Sequence, residues 1–345
     1  MIKKITALLL ILSISSSFFI SCSRPQKQTS ETFEYFNTLC SLTVFCDEND
    51  FKAYDTEFRS TLKKYHQLFD IYNSYGDVIN LKDINEKASA SPIEVSNELF
   101  DALEFGKSVY SMTNGKCNVA IGALSSIWHD ARETANKSPE SLVFPKDSDI
   151  SEALLHIDIN SLILDSESKT VFFTDSRLSL DFGAIAKGYV ASLLYKELID
   201  LGCQSFIVNL GGNNISHGTK PDGSFWQAAI ENPFEDKSLG YNKIIELKDS
   251  TLVTSGTTQR FFVFDGKSYS HIIDPQNGYP SDRFALISIL ADSSLSGVAD
   301  ALSTALFCMS YEEGVSLLST LDGFSALWIF KDGSFKTSDG FGGAK

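Results

Sequence analysis

Near its C-terminus the chain reads Ala299-Asp300-Ala301-Leu302-Ser303-Thr304-Ala305, within a helical stretch over 298–309 that is otherwise apolar. An Asp on the buried side of such a helix is costly unless the fold supplies something to offset its desolvation. Asp300 and Thr304 stand four residues apart, so their oxygens share one helix face, with Cβ atoms about 6 Å apart. A hard cation such as Mg²⁺ takes one carboxylate and a few neutral oxygens, and it is a natural partner for this pair. The alternative is an exposed Asp near the first turn, favoured by the helix dipole. Spacing alone leaves both open.

The other end of the chain speaks to compartment. Lys3 and Lys4 precede an apolar run over 5–20, and Ser21-Cys22 follows. That is a secretory signal with a small residue before the cut, and it is too short and Ser-rich for a membrane span. A Cys just after the cleavage point resembles a bacterial lipoprotein signal, in which Cys22 is lipidated and becomes the mature N-terminus. Residues 23–32 contain no aliphatic side chain and read as a polar tether. The organisation expected is a signal over 1–21, a tether over 22–32 and one globular domain over 33–345. Formal net charge is −15, which excludes a nucleic-acid binder because that function needs a basic surface. Cys40, Cys46, Cys117, Cys203 and Cys308 contain no CxxC pair, so neither a zinc site nor a disulfide framework is indicated.

Periodicity predicts strands over 39–46, 154–164, 170–174, 205–210, 225–231, 242–247 and 260–264. It predicts helices over 51–72, 97–110, 184–201, 298–309 and 311–321, and a closing hairpin over 326–337. Residues 130–152 are polar and read as an insertion or linker. Strands in runs with irregularly inserted helices point to an α+β fold.

Three glycine-bearing segments carry chemistry. Leu180-Asp181-Phe182-Gly183-Ala184-Ile185-Ala186-Lys187-Gly188 has small residues that let the backbone approach a ligand, and turning into a helix it would offer N–H groups to an anion. Lys187 can place a point charge on a phosphate. Asn209-Leu210-Gly211-Gly212-Asn213 follows an apolar strand and fits a tight turn, or a wall for a flat ring. Thr254-Ser255-Gly256-Thr257-Thr258-Gln259-Arg260 leads through an Asp265-Gly266 hairpin to His271-Ile272-Ile273-Asp274-Pro275. His271 is placed to act as base or hydrogen-bond donor.

Taken in this order, DFGAIAKG (181–188), VNLGGN (208–213), TSGTTQRFF (254–262), HIIDPQNGYP (271–280) and ADALSTALF (299–307) resemble the ApbE family of flavin transferases, FAD:protein FMN transferases. Tyr35-Phe36-Asn37-Thr38, FDIYN (69–73) and Asn85 add a weaker N-terminal match, so the resemblance spans about residues 33–340. It implies a T-fold-related α+β architecture, with mixed sheets and peripheral helices around a central cleft for FAD and Mg²⁺. The implied reaction transfers FMN from FAD, the substrate, to a Thr or Ser hydroxyl of a target flavoprotein and releases AMP. Phosphoryl transfer of this kind is largely positioning and charge neutralisation.

The resemblance implies Asp300, Thr304 and the Ala184 carbonyl as metal ligands. It implies FAD contacts at Phe36, Tyr72, Cys117, Asn118, Asp181, Lys187, His271 and Ile272. Catalysis falls to Asp300, Lys187 and His271, the last polarising the acceptor hydroxyl or touching the phosphate. Implied partners are periplasm-facing flavoprotein subunits of membrane redox complexes, with the chain lipid-anchored on the cytoplasmic membrane and facing the periplasm. Departures from the family pattern are Phe36-Asn37 for Met-Gly, Asn213 for Asp and Asn118 for Asp; each bears on FAD recognition and none touches Asp300 or Thr304. Water in place of the acceptor would give FAD hydrolysis to FMN and AMP, and a non-catalytic FAD-binding lipoprotein is a further alternative. Ser255-Gly256-Thr257-Thr258 is similar to a Ser-Gly-Ala-Thr flavin-acceptor sequence, but it coincides with the family's own motif and reads as binding architecture.

Overall fold

A computed structural model describes residues 25–342 apart from Glu235, Lys237, Leu239, Gly240, Thr258 and Gln259; the signal and Cys22 lie outside the described residues. The strands are β1 (Gln26–Thr32), β2 (Cys40–Cys46), β3 (Ile93–Glu94), β4 (Leu162–Asp165), β5 (Thr170–Phe173), β6 (Phe206–Leu210), β7 (Asn213–His217) and β8 (Trp226–Ile230). They continue as β9 (Lys243–Leu247), β10 (Ser250–Gly256), β11 (Phe261–Phe264), β12 (Lys267–Ser270), β13 (Phe284–Asp292), β14 (Phe324–Phe330) and β15 (Phe335–Thr337). The helices are α1 (Glu48–Leu68), α2 (Leu81–Lys87), α3 (Asn97–Met112), α4 (Gly122–Lys137), α5 (Asp147–Leu154), α6 (Ala186–Asp200), α7 (Ser296–Phe307) and α8 (Tyr311–Leu318).

An eight-stranded sheet in the order β1-β2-β6-β7-β10-β13-β14-β15 is antiparallel throughout. Helices α6 and α7 lie side by side on one face of it, where Val208, Ile215, Val253, Ile287 and Ile289 join the main core. The hairpin β8–β9 covers the other face through Trp226, Ile230, Ile245 and Leu247, packed on Leu252, Leu327 and Ile329. Ala299, Ala301, Leu302, Ala305, Leu306 and Phe307 are all fully buried, so α7 is enclosed as its composition requires. The mixed α+β expectation holds.

Several local expectations change. The polar stretch read as a tether is, from Gln26 onward, the edge strand β1, paired with β2 along its whole length. Backbone pairing needs no aliphatic side chains, and Arg59 fastens this edge through Ser30 Oγ and the Glu31 carbonyl. Residues 130–152 are not a linker: α4 runs to Lys137 and α5 occupies Asp147–Leu154. Trp128, Ala131, Ile150 and Ala153 form an inner stripe on Phe262 of the hairpin β11–β12, which leaves the polar residues outside. The strand expected over 154–164 is only β4, because α5 ends at Leu154 and a single 3₁₀ turn occupies Ile159–Ser161. Strands β7, β10 and β13 had no counterpart in the sequence reading. Phe284–Asp292 is buried at every position but two, and a run that is apolar up to Ala291 but for Ser288 carries no period of two to betray a strand.

Candidate active site

Asp300 is 3% exposed, and its Oδ2 accepts a hydrogen bond of 2.7 Å from Gly188 N, 112 residues away. Gly188 lies in the first turn of α6, whose N-cap residue Ile185 provides no side-chain cap. The Asp300 carboxylate therefore caps α6 from a neighbouring helix, at the end where the dipole favours an anion. The first-turn amide that the sequence seemed to offer a ligand is thus taken by the chain's own carboxylate. A Cβ at Gly188 would lie 2.4 Å from Asp300 Cβ and 2.6 Å from the Ser296 carbonyl, so glycine is what lets the two helices approach.

Burial raises the Asp300 pKa above the ordinary carboxylate range, against the opposing pull of Lys187, Gly188 N–H and Asn213. Asn213 is 1% exposed and its side chain lies beside the carboxylate. Gly188 N–H donates to Asp300 rather than to the carbonyl four residues back, that of Ala184. Among the described residues Ala184 O and Thr304 Oγ1 make no hydrogen bond, and Thr304 is only part-buried. Ser303 satisfies the Asp300 carbonyl instead, with an Oγ–O distance of 2.9 Å. Among the described residues no group of three or more His, Cys, Asp or Glu side chains gathers to hold a metal. One buried carboxylate with two uncommitted neutral oxygens nonetheless suits Mg²⁺, which takes few protein ligands and keeps several waters.

Lys187 lies close enough to Asp300 and His271 to shift both. His271 follows β12, and its Nδ1 sits 3.1 Å from the Arg260 carbonyl. A carbonyl only accepts, so Nδ1 carries the proton and Nε2 keeps its lone pair. Water reaches the residue, yet protein crowds the ring on most sides. That burial, with the charges of Arg260 and Lys187, lowers its pKa to about 4. His271 is thus neutral at physiological pH, with a free base nitrogen.

The structure places the remaining expected residues unevenly. Asp181 is a brace: Oδ1 accepts from Gly183 N at 2.8 Å and Oδ2 from Ser125 Oγ at 2.8 Å. Asn85 clasps the same loop through both main-chain groups of Leu180, at 3.0 and 2.7 Å. Tyr72 is 57% exposed, presented by a turn in which Asp70 Oδ1 accepts from the N–H groups of Tyr72 and Asn73. Phe36 stands across the cleft at φ 55°, its ring edge-on to His66. The Cys117, Asn118 and Ile272 side chains are not on the cleft surface. Cys117 is wholly buried, its thiol pKa pushed up by desolvation and then by Asp300 and Cys308. Asn118 spends Nδ2 on the Ile157 carbonyl and Oδ1 on Ala120 N. Ile272 is 5% exposed within the main core. They form the floor under the site. Gly211 and Gly212, both at positive φ, make the tight β6–β7 turn, with Thr38 packed directly on Gly211.

Three residues of this region had no assigned role: His129 and Arg132 on α4, and Arg260. Arg132 sits within the stretch read as an insertion or linker and His129 just before it, and their spacing of three puts them on one helix face. Beneath His271, Lys116 Nζ reaches both Asp274 oxygens, at 3.0 and 3.2 Å, in a pair 7% and 5% exposed.

An α+β fold whose cleft gathers Lys187, a neutral His271 and a buried Asp300 with spare oxygens nearby defines a protein built for an anionic ligand. The chain belongs to the ApbE family, whose model matches residues 36–328. A Klebsiella pneumoniae protein named FAD:protein FMN transferase is 29% identical over 272 residues, 79% of this chain and 80% of its own. One of the same name from Treponema pallidum is 29% identical over 324 residues, 88% of this chain and 84% of its own. The flavin transferase ApbE of Vibrio cholerae superposes with a TM-score of 0.74 at 26% identity, covering 91% of this chain and 97% of that one. The ApbE protein of Thermotoga maritima shares the fold with a TM-score of 0.80 at 24% identity, over 91% of this chain and 97% of its own.

Proposed function

We propose that this chain is an FAD:protein FMN transferase that uses Mg²⁺ and attaches FMN through a phosphoester to a Ser or Thr hydroxyl of an acceptor flavoprotein. The observation that carries the reading is the Asp300 carboxylate seated on the first turn of α6, beside Lys187. Asp300 Oδ1, Thr304 Oγ1 and the Ala184 carbonyl would hold the metal. Bound there, Mg²⁺ would neutralise the diphosphate and polarise the phosphorus under attack. Lys187 adds a point charge for the phosphate oxygens. His271 Nε2 is the free lone pair to take the acceptor's proton. The acceptor oxygen forms a bond to the FMN phosphorus, the P–O–P bond of FAD breaks, and AMP leaves with the bridging oxygen. The exposed Tyr72 offers a flat face for the flavin ring.

The proposal extends to location: a lipid on Cys22 would hold the protein on the cytoplasmic membrane, facing periplasmic flavoprotein subunits of redox complexes. The Lys3-Lys4 signal and Ser21-Cys22 support it. With β1 beginning at Gln26, the three intervening residues reach about 10 Å at most, so the β1 edge would lie against the bilayer.

The test mixes purified protein, FAD, MgCl₂ and an acceptor domain carrying Ser-Gly-Ala-Thr. Covalent flavin fluorescence on a denaturing gel with stoichiometric AMP is expected, and Asp300→Asn, which keeps an acceptor for Gly188 N–H, abolishes both. FAD left intact would refute the reading. FMN and AMP released without labelled acceptor would make the enzyme a pyrophosphatase.

A further inference from the structure

Arg132 and Arg260 flank the cleft without an assigned role. Arg132 is held from its own helix: its guanidinium lies 3.1 Å from His129 Nδ1. The His129 ring is in turn 5.3 Å from the Tyr72 ring, with the Tyr72 hydroxyl 3.3 Å from the same Nδ1. Arg260, just before β11, donates to the carbonyls of Phe36 and Asn37 at 3.4 and 3.3 Å. Both of those residues adopt left-handed backbone, at φ 55° and 51°, a conformation that costs a non-glycine residue of order 1 kcal/mol or more. The strained turn aims two successive carbonyls at one guanidinium.

The two arginines meet at one end of a packed contact. Trp128 packs on Phe262 with centroids 6.4 Å apart; Arg132 lies one helical turn beyond the first and Arg260 two residues before the second. Neither makes an ion pair among the described residues, although the chain carries a net charge of −15. They lie close enough to act on each other: burial and then Arg132 lower the Arg260 pKa, and both arginines add to the burial that lowers that of His271. Asp181 offsets part of this at Arg260 without pairing with it, and two oriented guanidiniums left without an ion pair are built to share an anion.

We propose that Arg132 and Arg260 form a clamp for a phosphate or diphosphate group beside His271. Only the assignment of that group to FAD rests on the transferase reading. The clamp would engage phosphate oxygens beyond the reach of Lys187 and hold charge that appears as the diphosphate splits. Its fork geometry makes the sites specific for guanidinium rather than for charge alone.

The test is equilibrium binding in EDTA, by flavin fluorescence and calorimetry, of FAD, riboflavin, ADP, FMN and AMP to the full-length protein, Arg132→Gln, Arg260→Gln and Arg260→Lys. Each Gln variant is expected to lose about tenfold or more in affinity for FAD and ADP with riboflavin unchanged, and Arg260→Lys to recover only part. The FMN and AMP arms then tell which phosphate is held. Equal losses for riboflavin and FAD would make these ring contacts and overturn the clamp. Variants indistinguishable from a wild type that binds FAD would overturn it as well. A wild type that binds ADP in an arginine-dependent way but no flavin would keep the clamp and sink the transferase reading.

Discussion

Gly188→Ala offers the sharpest probe of how this site is assembled. The added methyl would sit 2.4 Å from Asp300 Cβ, 2.6 Å from the Ser296 carbonyl oxygen and 3.1 Å from Asp300 Cγ. Carbon atoms in contact rest about 3.5–4.0 Å apart, so the first distance is short by roughly 1.1 Å or more. Neither obstacle can swing aside, since one is main chain and the other is the root of a short side chain. Helices α6 and α7 must therefore part by something near an ångström. Overpacking of this kind costs about 1–3 kcal/mol, offset by up to about 1 kcal/mol from alanine's better helix propensity. The net loss in stability lies between about 0 and 3 kcal/mol. The functional loss is much larger, because the separation pulls the Asp300 carboxylate off Gly188 N and away from Lys187 and Ala184. Misplacement by about 1 Å costs on the order of a hundredfold in rate. The assay pairs a thermal melt with AMP release at varied Mg²⁺. Gly314→Ala on α8 is the control, since its new methyl would touch only Leu306 Cδ2 at 3.1 Å and Trp328 ring atoms beyond 3.4 Å. Gly188→Ala with wild-type turnover and Mg²⁺ dependence would refute the interpretation of the α6–α7 contact.

Two further outcomes are expected. His271 has its pKa lowered to about 4, so its base form is complete at neutral pH and lost only as pH falls through that value. The pH profile of kcat/KM should then show no imidazole inflection near about 6.5, where a free histidine titrates; such an inflection, absent in His271→Asn, would show that the ring is not sheltered as described. Lys116→Ala leaves the Asp274 carboxylate buried and unpaired, which costs about 3–5 kcal/mol in denaturant titration. The double variant Lys116→Met, Asp274→Asn should recover most of that loss, and a single variant costing under about 1 kcal/mol would show the pair to be solvated.

Much of the site's chemistry was legible because it is written in local patterns. The i, i+4 spacing of Asp300 and Thr304, the small residues around Lys187 and the His271 turn need only neighbours in sequence to be recognised. Helix α7 could be read for the same reason, while β13 could not: its buried run does not alternate, and only pairing with β10 and β14 makes it a strand. Burial is equally illegible at Cys117 and Asn118, whose side chains face the core.

By itself the sequence determined which groups are present and where helices and turns can start, since capping, periodicity and glycine's freedom act over a few residues. Tertiary structure decided what those groups do. It brought Gly188 N to Asp300 across 112 residues, turned the lone Asp into a helix cap, and left Ala184 O without a backbone donor among the described residues. It also drew Arg132 out of an apparent linker to the cleft that Arg260 borders. Hydrogen bonds between distant strands and helices depend on how whole apolar faces pack, and no short stretch of sequence encodes that.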